Sequence, residues 1–322
     1  MKQLLITGGA GFIGSNFIRH ILGAHRDYRV TNLDKLTYCG NLENLKDIAD
    51  DKRYAFVKGD IADKRIVERL VKRCDIVINF AAETHVDRSI KDPSSFVKTN
   101  IFGVHTLLEA ARRHGVERFL QVSTDEVYGS IVDGEFKEDD PLKPNSPYAA
   151  SKAAGDLLAR SYFVTYDMPV IITRSSNNFG PYQYPEKVIP LFITNLMEGK
   201  KVPLYADGMN VRDWLFVVDN CEAIDVVMQK GSPGQIYNIG GGHEITNLEL
   251  TRTLLKITGR DENFIQYVKD RPGHDKRYAL SIDKVRSLGW QPRHSFASAI
   301  ALTAEWYRSN EKWWRRLRKC KV

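Results

Sequence analysis

Along the first half of the chain, short apolar runs alternate with longer stretches whose apolar positions recur every three or four residues. The runs at 4–6, 28–33, 54–58, 76–80, 119–123 and 169–174 predict strands. The stretches at 12–22, 61–73, 97–114 and 146–166 predict helices. Strand and helix in turn mean a parallel sheet with helices on both faces, and right-handed crossovers make it doubly wound. The fold class is therefore α/β with a doubly wound parallel sheet.

After Asn177 the pattern loosens. Pro181, Pro185 and Pro190 interrupt it and the elements shorten. The stretch 217–229 is expected to return to the main sheet, and 237–242 reads as a strand ending in a glycine turn. Helices are expected at 245–258 and 296–309. The chain is thus expected to divide into a dinucleotide-binding part, 1–176, which also takes in 212–240, and a smaller C-terminal α/β lobe, mainly 177–322. The two are expected to interleave.

With 43% hydrophobic and 27% charged residues the chain can build a sizeable core and is not a disordered sequence. The net charge of +7 would suit a polyanion, but Lys312, Arg315, Arg316, Arg318, Lys319 and Lys321 crowd into one stretch beside Trp313 and Trp314. This stretch reads as a solvated, poorly ordered terminus, so no nucleic-acid partner is expected. Cys39, Cys74, Cys221 and Cys320 show neither metal-ligand nor redox spacing, so free thiols and no metal are expected. The N-terminus becomes glycine-rich too soon for a signal peptide, and no apolar run spans a bilayer. The reading is a cytoplasmic protein with no membrane partner.

The chemistry begins at Thr7-Gly8-Gly9-Ala10-Gly11-Phe12-Ile13-Gly14, between the first strand and the first helix. Glycines at 8, 11 and 14 permit a tight turn and close approach to a pyrophosphate, which the helix N-terminus attracts. Asp34 closes the second strand. An acid there accepts hydrogen bonds from ribose hydroxyls and repels a 2′-phosphate, so NAD is favoured over NADP. Asp60 and Ile61, after the third strand, are placed to meet the adenine.

Tyr148 and Lys152 stand four apart near the start of a predicted helix and share one face. A lysine beside a phenol is expected to lower its pKa, so that the phenolate removes a hydroxyl proton as hydride leaves for nicotinamide. Thr124 lies at a strand C-terminus, where active sites of open parallel sheets form. In a regular strand the neighbours Asp125 and Glu126 would face opposite ways, so joint work by these acids requires an irregular strand end.

Together these residues resemble the extended short-chain dehydrogenase/reductase family, with its Rossmann-like NAD domain. The resemblance covers nearly the whole chain. The segment Ser123-Thr124-Asp125-Glu126-Val127-Tyr128-Gly129 is similar to that of the dTDP-glucose 4,6-dehydratases. So are Asp34-Lys35-Leu36-Thr37-Tyr38, Ala81-Ala82-Glu83-Thr84-His85-Val86-Asp87-Arg88-Ser89, Asn177-Asn178-Phe179-Gly180-Pro181-Tyr182-Gln183, Pro185-Glu186-Lys187, Arg212-Asp213-Trp214 and Asp270-Arg271-Pro272-Gly273-His274-Asp275.

The resemblance implies a tightly held NAD, regenerated each turnover, and a nucleoside-diphosphate hexose substrate, dTDP-glucose or UDP-glucose. It implies oxidation at carbon 4, loss of water across carbons 5 and 6, and hydride return. Tyr148 would be the first base, tuned by Lys152. Thr124 would bind the oxygen on carbon 4, Glu126 would be the base at carbon 5, and Asp125 the acid at carbon 6. Lys35, Thr37, Ala81, Ala82, Thr84, Thr99 and Asn178 would join the glycine turn, Phe12, Ile13, Asp34, Asp60, Ile61, Tyr148 and Lys152 around NAD. His85, Asn177, Lys187, Val188, Tyr205, Arg212, Asn247, Arg271 and His274 would join Thr124 around the substrate. A homodimer through the helices at 97–114 and 146–166 is expected on the same ground.

The acid pair argues against a 4-epimerase, and no site for a sugar carboxylate points to a decarboxylase. A non-catalytic NAD-binding regulator would have no need of Thr124, Asp125, Glu126, Tyr148 and Lys152 together.

Overall fold

The computed structural model describes residues 1–270 and 274–319. Its strands, in chain order, are β1 (Lys2–Thr7), β2 (Tyr28–Asp34), β3 (Tyr54–Lys58), β4 (Ile76–Asn79), β5 (Arg118–Thr124) and β6 (Val170–Ser175). There follow β7 (Asn177–Phe179), β8 (Val202–Tyr205), β9 (Val211–Phe216), β10 (Ile236–Ile239), β11 (Glu244–Thr246) and β12 (Ile265–Val268). Seven of them form one parallel sheet in the order β10-β6-β5-β4-β1-β2-β3. The chain reverses its direction of winding between β1 and β4, and a crevice opens there beyond the strand C-termini.

Strand alternation explains how both faces are covered. Leu4, Ile6, Ile76, Ile78, Leu120, Val122 and Ile171 face the helices Phe12–Ala24 and Val217–Lys230. Leu5, Val77, Phe119, Val170 and Ile172 face Lys64–Val71, Val104–His114 and Pro147–Tyr166. A separate core gathers Phe179, Phe192, Leu204, Trp214, Leu254 and Tyr307 around a three-stranded sheet, β11-β9-β7, and the pair β12-β8. The stretch expected at 217–229 does return to the main sheet, as the helix that precedes β10.

Polar side chains set several boundaries. The helix expected from 61 begins at Lys64, because Asp63 caps the amides of Arg65 and Ile66. The helix expected from 245 begins at Asn247, where Thr246 and Glu249 form a capping box. The helix expected at 97–114 is interrupted at its start by a π-helical stretch, Val97–Gly103. There Asn100 is buried, accepting from the amide of Glu83 at 2.9 Å and donating to the Ser151 hydroxyl at 2.9 Å.

The C-terminal stretch is not the solvated tail its composition suggests. Glu311–Lys319 is a helix, with Trp314 fully buried in the third core. Arg315 and Arg318 both pair with Glu198. A two-residue aromatic anchor outweighs the charge run around it. Trp314→Ala should therefore destabilise the protein by roughly 3–5 kcal/mol, read as a fall in the midpoint of chemical denaturation. A change below 1 kcal/mol would mean that the helix is not part of the cooperative fold.

Candidate active site

The crevice at the end of the main sheet is a cleft of about 290 Å³. At one end is the glycine turn. Gly8 has φ 69°, and a Cβ there would lie 2.6 Å from the amide nitrogen of Ala81. A Cβ on Gly14 would lie 2.5 Å from the carbonyl of Gly8. Both positions need glycine for the turn to close. The helix that follows has no side-chain cap and no acid in its first turn, and Phe12, Ile13 and Gly14 line the cleft. Free amides and the positive end of the helix dipole face the same space.

Asp34 stands beside this turn. Its carboxylate accepts from the amides of Ala10 at 2.9 Å and Leu36 at 2.7 Å, one bond per oxygen. Burial pushes its pKa up and the two amides oppose that. Each oxygen keeps a lone pair for a further donor. Lys35 pairs with Asp60 at 2.8 Å, which balances its charge locally. Thr37, Ile61, Ala81, Ala82, Thr84, Thr99 and Asn178 complete the wall, so every residue expected around NAD lies in this one cleft.

The far end carries the catalytic candidates. β5 stops at Thr124, and Asp125–Tyr128 winds into a 3₁₀ turn. Successive side chains on such a turn are about 120° apart instead of alternating, so Thr124, Asp125 and Glu126 all line the cleft with Tyr148 and Lys152. Thr124 caps the turn, accepting from the amide of Glu126 at 3.3 Å. It donates to Asp125 Oδ1 at 3.1 Å, and it lies near enough to the Tyr148 phenol to favour the phenolate. Ser146 caps the helix Pro147–Tyr166, which puts Tyr148 and Lys152 on its inner face.

Electrostatics divides the acids. Asp125 is 2% exposed, and burial, reinforced by the charge of Glu126, holds its pKa well above the usual carboxylate range. Glu126 is half-buried. The Tyr148 phenol departs from expectation: burial and the charges of Glu126 and Asp125 push its pKa up, against the effect of the Thr124 hydroxyl. The Lys152 ammonium donates to the carbonyl of Val122 at 2.7 Å. Burial lowers its pKa to about 8, opposed by the charge of Asp156. Asp156 is itself tied to Arg174 at 3.0 Å in the interior.

Of the residues expected around the substrate, Thr124, Asn177 and Lys187 line the cleft. His85, Val188, Tyr205, Arg212, Asn247 and His274 do not. Arg212 neighbours the acid pair closely enough to act on Asp125. Its guanidinium stacks on Tyr278 at 4.5 Å and donates to the carbonyls of Val211 and Asp275 at 2.7 and 2.8 Å. Tyr205 and His274 pack ring to ring at 5.9 Å. Asn247 opens its helix with its amide on Asn210, and Val188 opens the helix Val188–Met197. Arg271 lies outside the described residues.

Two residues not singled out from sequence join the site. Glu186 lines the cleft, accepts from Tyr38 at 2.8 Å and Arg88 at 3.2 Å, and lies 3.6 Å from His85. Tyr278 is buried against Asp275 and feels the charge of Glu126. Glu186 had a signal in the quoted Pro185-Glu186-Lys187, whereas a lone tyrosine has none. Among the described residues, seven buried polar atoms on residues in or beside the cleft have no protein partner: Ser123 Oγ, Asp125 Oδ2, Ser176 Oγ, Asn177 Oδ1, Asn178 Oδ1, Gln183 Oε1 and His85 Nδ1. Such groups are normally satisfied, and here all but His85 belong to residues that line the cleft. The donors at the glycine turn and the acceptors at Asp34 suit a dinucleotide by the same test.

Comparison with known proteins agrees with this geometry. Residues 5–303 match the family described as GDP-mannose 4,6 dehydratase. The chain is 53% identical over 321 residues to the dTDP-glucose 4,6-dehydratase of Streptomyces niveus, covering 98% of this chain and 96% of that protein. It is 54% identical over 323 residues to the enzyme of the same name from Streptomyces antibioticus, with 98% and 96% covered. DesIV, the dTDP-glucose 4,6-dehydratase of Streptomyces venezuelae solved with NAD bound, superposes with a TM-score of 0.96 at 52% identity, over 98% of this chain and 99% of that one. Similarity that spans both the glycine turn and the acid pair leaves one assignment: the chain belongs to the GDP-mannose 4,6 dehydratase family of extended short-chain dehydrogenases/reductases, where it stands with the dTDP-glucose 4,6-dehydratases.

Proposed function

We propose that this protein uses NAD to convert dTDP-glucose to dTDP-4-keto-6-deoxyglucose with loss of water. The observation that carries the reading is the 3₁₀ turn that sets Asp125 and Glu126 beside Tyr148 at the end of a dinucleotide cleft.

NAD held by the glycine turn and Asp34 would supply a hydride acceptor for carbon 4 and a hydride donor for carbon 6. The chain's own groups manage the protons. Tyr148 removes the proton of the carbon-4 hydroxyl as the hydride leaves, and Thr124 hydrogen-bonds that oxygen. Lys152 steadies the phenolate by its charge. The carbon-5 proton is now alpha to a ketone, and Glu126 takes it. Asp125, kept neutral by burial, gives its proton to the departing carbon-6 hydroxyl, which leaves as water. As carbon 6 is reduced, Glu126 returns a proton to carbon 5; the proton gained by Tyr148 passes to solvent and Asp125 takes one back, so the net change is loss of one water. Separated pKa values let two adjacent carboxyls act as acid and base.

The glycine turn, Asp34 and the residues around them hold NAD, and Asn177, Lys187 and His85 meet the sugar. Arg212 carries positive charge at the diphosphate end, with His274 beside it. There the Arg212 fork has to exchange carbonyl partners for phosphate oxygens. The cofactor part is 1–176 with the helix and strand that rejoin the sheet, and the remainder mainly holds the substrate. We also read the protein as a cytoplasmic homodimer. Phe102 and Val164 are 54% and 60% exposed on the two segments expected to pair, and an apolar face of this kind favours a second copy. Among the described residues no helix is long and apolar enough to cross a membrane.

Purified protein incubated with dTDP-glucose should yield a product lighter by one water in mass spectrometry, and turnover without added NAD would mark a retained cofactor. Dehydration of UDP-glucose instead would keep the mechanism and change the base. No mass change with either would refute the reading. Asp125→Asn should lower kcat on the order of 10²–10⁴-fold with little change in KM; unimpaired turnover would remove Asp125 from the acid role. The pH profile should have an alkaline limb. Lys152 carries charge below about 8 and loses it above, so kcat/KM should fall as pH rises through that value. A profile flat from neutral to strongly alkaline pH would contradict the role of its charge.

A further inference from the structure

The Trp-rich C-terminal helix Glu311–Lys319 takes no part in the chemistry above, and none of its residues lines the cleft. It reaches both walls of the cleft from behind. Trp313 Nε1 donates to Asn44 Oδ1 at 2.9 Å. Asn44 is 1% exposed and donates through Nδ2 to the carbonyl of Ala10 at 3.0 Å. Ala10 lies inside the glycine turn, and its amide donates to Asp34 at 2.9 Å. A relay of three hydrogen bonds thus runs from the C-terminal helix to the turn and on to the acid beside it.

The facing wall is held from the same side. Tyr182, Gln183 and Tyr184 line the cleft. The Tyr182 ring packs on Trp306 at 4.7 Å and Trp313 at 6.1 Å, with the Arg19 guanidinium 4.1 Å from its centre. Tyr182 has φ 67°, a left-handed conformation that a tyrosine keeps only when its surroundings hold it. The Tyr307 hydroxyl donates to the carbonyl of Gln183.

We propose that the C-terminal helix sets how tightly the dinucleotide is retained. Trp313 is a positioning residue that acts through Asn44 on the glycine turn and through Tyr182 on the facing wall. The inference rests on the reading of the cleft as the NAD site. Its physical basis is the freedom of the turn itself. Glycines make close approach to a pyrophosphate possible but do not choose one conformation, so the amides need an outside anchor to be pre-organised. Asn44 is one such anchor, beside Asn32, which accepts from the amide of Gly9 at 3.0 Å, and the amide of Asn41, which shares the Ala10 carbonyl at 3.0 Å; Trp313 fixes the orientation of the Asn44 amide. A cofactor regenerated in each turnover has no need to leave, so slow release suits the reaction.

Trp313→Phe keeps a ring and removes the N–H, and Asn44→Leu removes the relay at its middle. Each variant is stripped of cofactor and its NAD dissociation constant is measured by equilibrium dialysis. Thermal unfolding is followed alongside, and kcat is read at saturating NAD. Trp313→Phe should weaken NAD binding roughly five-fold, the loss of one neutral hydrogen bond, with kcat unchanged. Asn44→Leu should weaken it at least as much, and adding Trp313→Phe to it should bring little further loss. Wild-type affinity in a folded Trp313→Phe protein overturns the proposal. So does a double variant weakened by the product of the two single effects, since the residues would then act independently. If Trp313→Phe does not fold, Asn44→Leu decides by the same criterion. A wild-type protein that binds no NAD refutes the reading of the cleft instead.

Discussion

Two carboxyls adjacent in sequence can serve one sugar only if the backbone that carries them stops alternating. In β5 every second side chain faces the same helices, and a strand continued through Asp125 and Glu126 would send one acid to each side of the sheet. The chain avoids this by ending the strand at Thr124 and capping a 3₁₀ turn with that residue's own hydroxyl. The cap, the bond to Asp125 and the placing of both acids therefore depend on one side chain. The doubly wound sheet contributes the location, because the end of β5 opens on the crevice that the glycine turn also faces.

Burial is the second agent. It raises the pKa of Asp125 and of Tyr148 and lowers that of Lys152, since each would be charged only at the cost of lost water. For Asp125 this is the useful direction, because an acid must hold its proton until the hydroxyl leaves. For Tyr148 it is adverse, and the phenolate has to be favoured by Thr124 and by positive charge. The site thus favours the elimination in its resting electrostatics and resists the first ionisation. Asp156 helps indirectly by keeping Lys152 charged against its burial, while its bond to Arg174 at 3.0 Å keeps a buried carboxylate from standing alone.

Much of this was legible in the sequence. The short apolar runs marked the strands β1 to β6, and the glycine turn with Asp34 located the dinucleotide cleft. Asp125 and Glu126 even announced that the strand end had to be irregular. What escaped depended on partners distant in sequence. The π-helical stretch at Val97–Gly103 follows from Asn100 reaching Glu83 and Ser151, which periodicity cannot register. The Trp314 anchor was hidden under a run of charge, and its burial became visible only with the core that receives it. The direction of the Tyr148 shift was misread because spacing shows that Lys152 is near but not that the phenol is buried beside Glu126 and Asp125, nor that the Lys152 ammonium turns to the carbonyl of Val122. Glu186 is a functional candidate through Tyr38 and Arg88, both far from it in sequence, and Tyr278 through the charges of Glu126 and Arg212, which the fold brings to it.

The division of labour between the two acids is the claim on which the rest turns, and infrared difference spectroscopy tests it directly. The spectrum of the wild-type protein minus that of Asp125→Asn, taken at neutral pH, isolates the carboxyl of residue 125. The account predicts a protonated-carboxyl band that the variant lacks. A carboxylate band in its place would mean that Asp125 is already ionised, and would contradict its role as the acid.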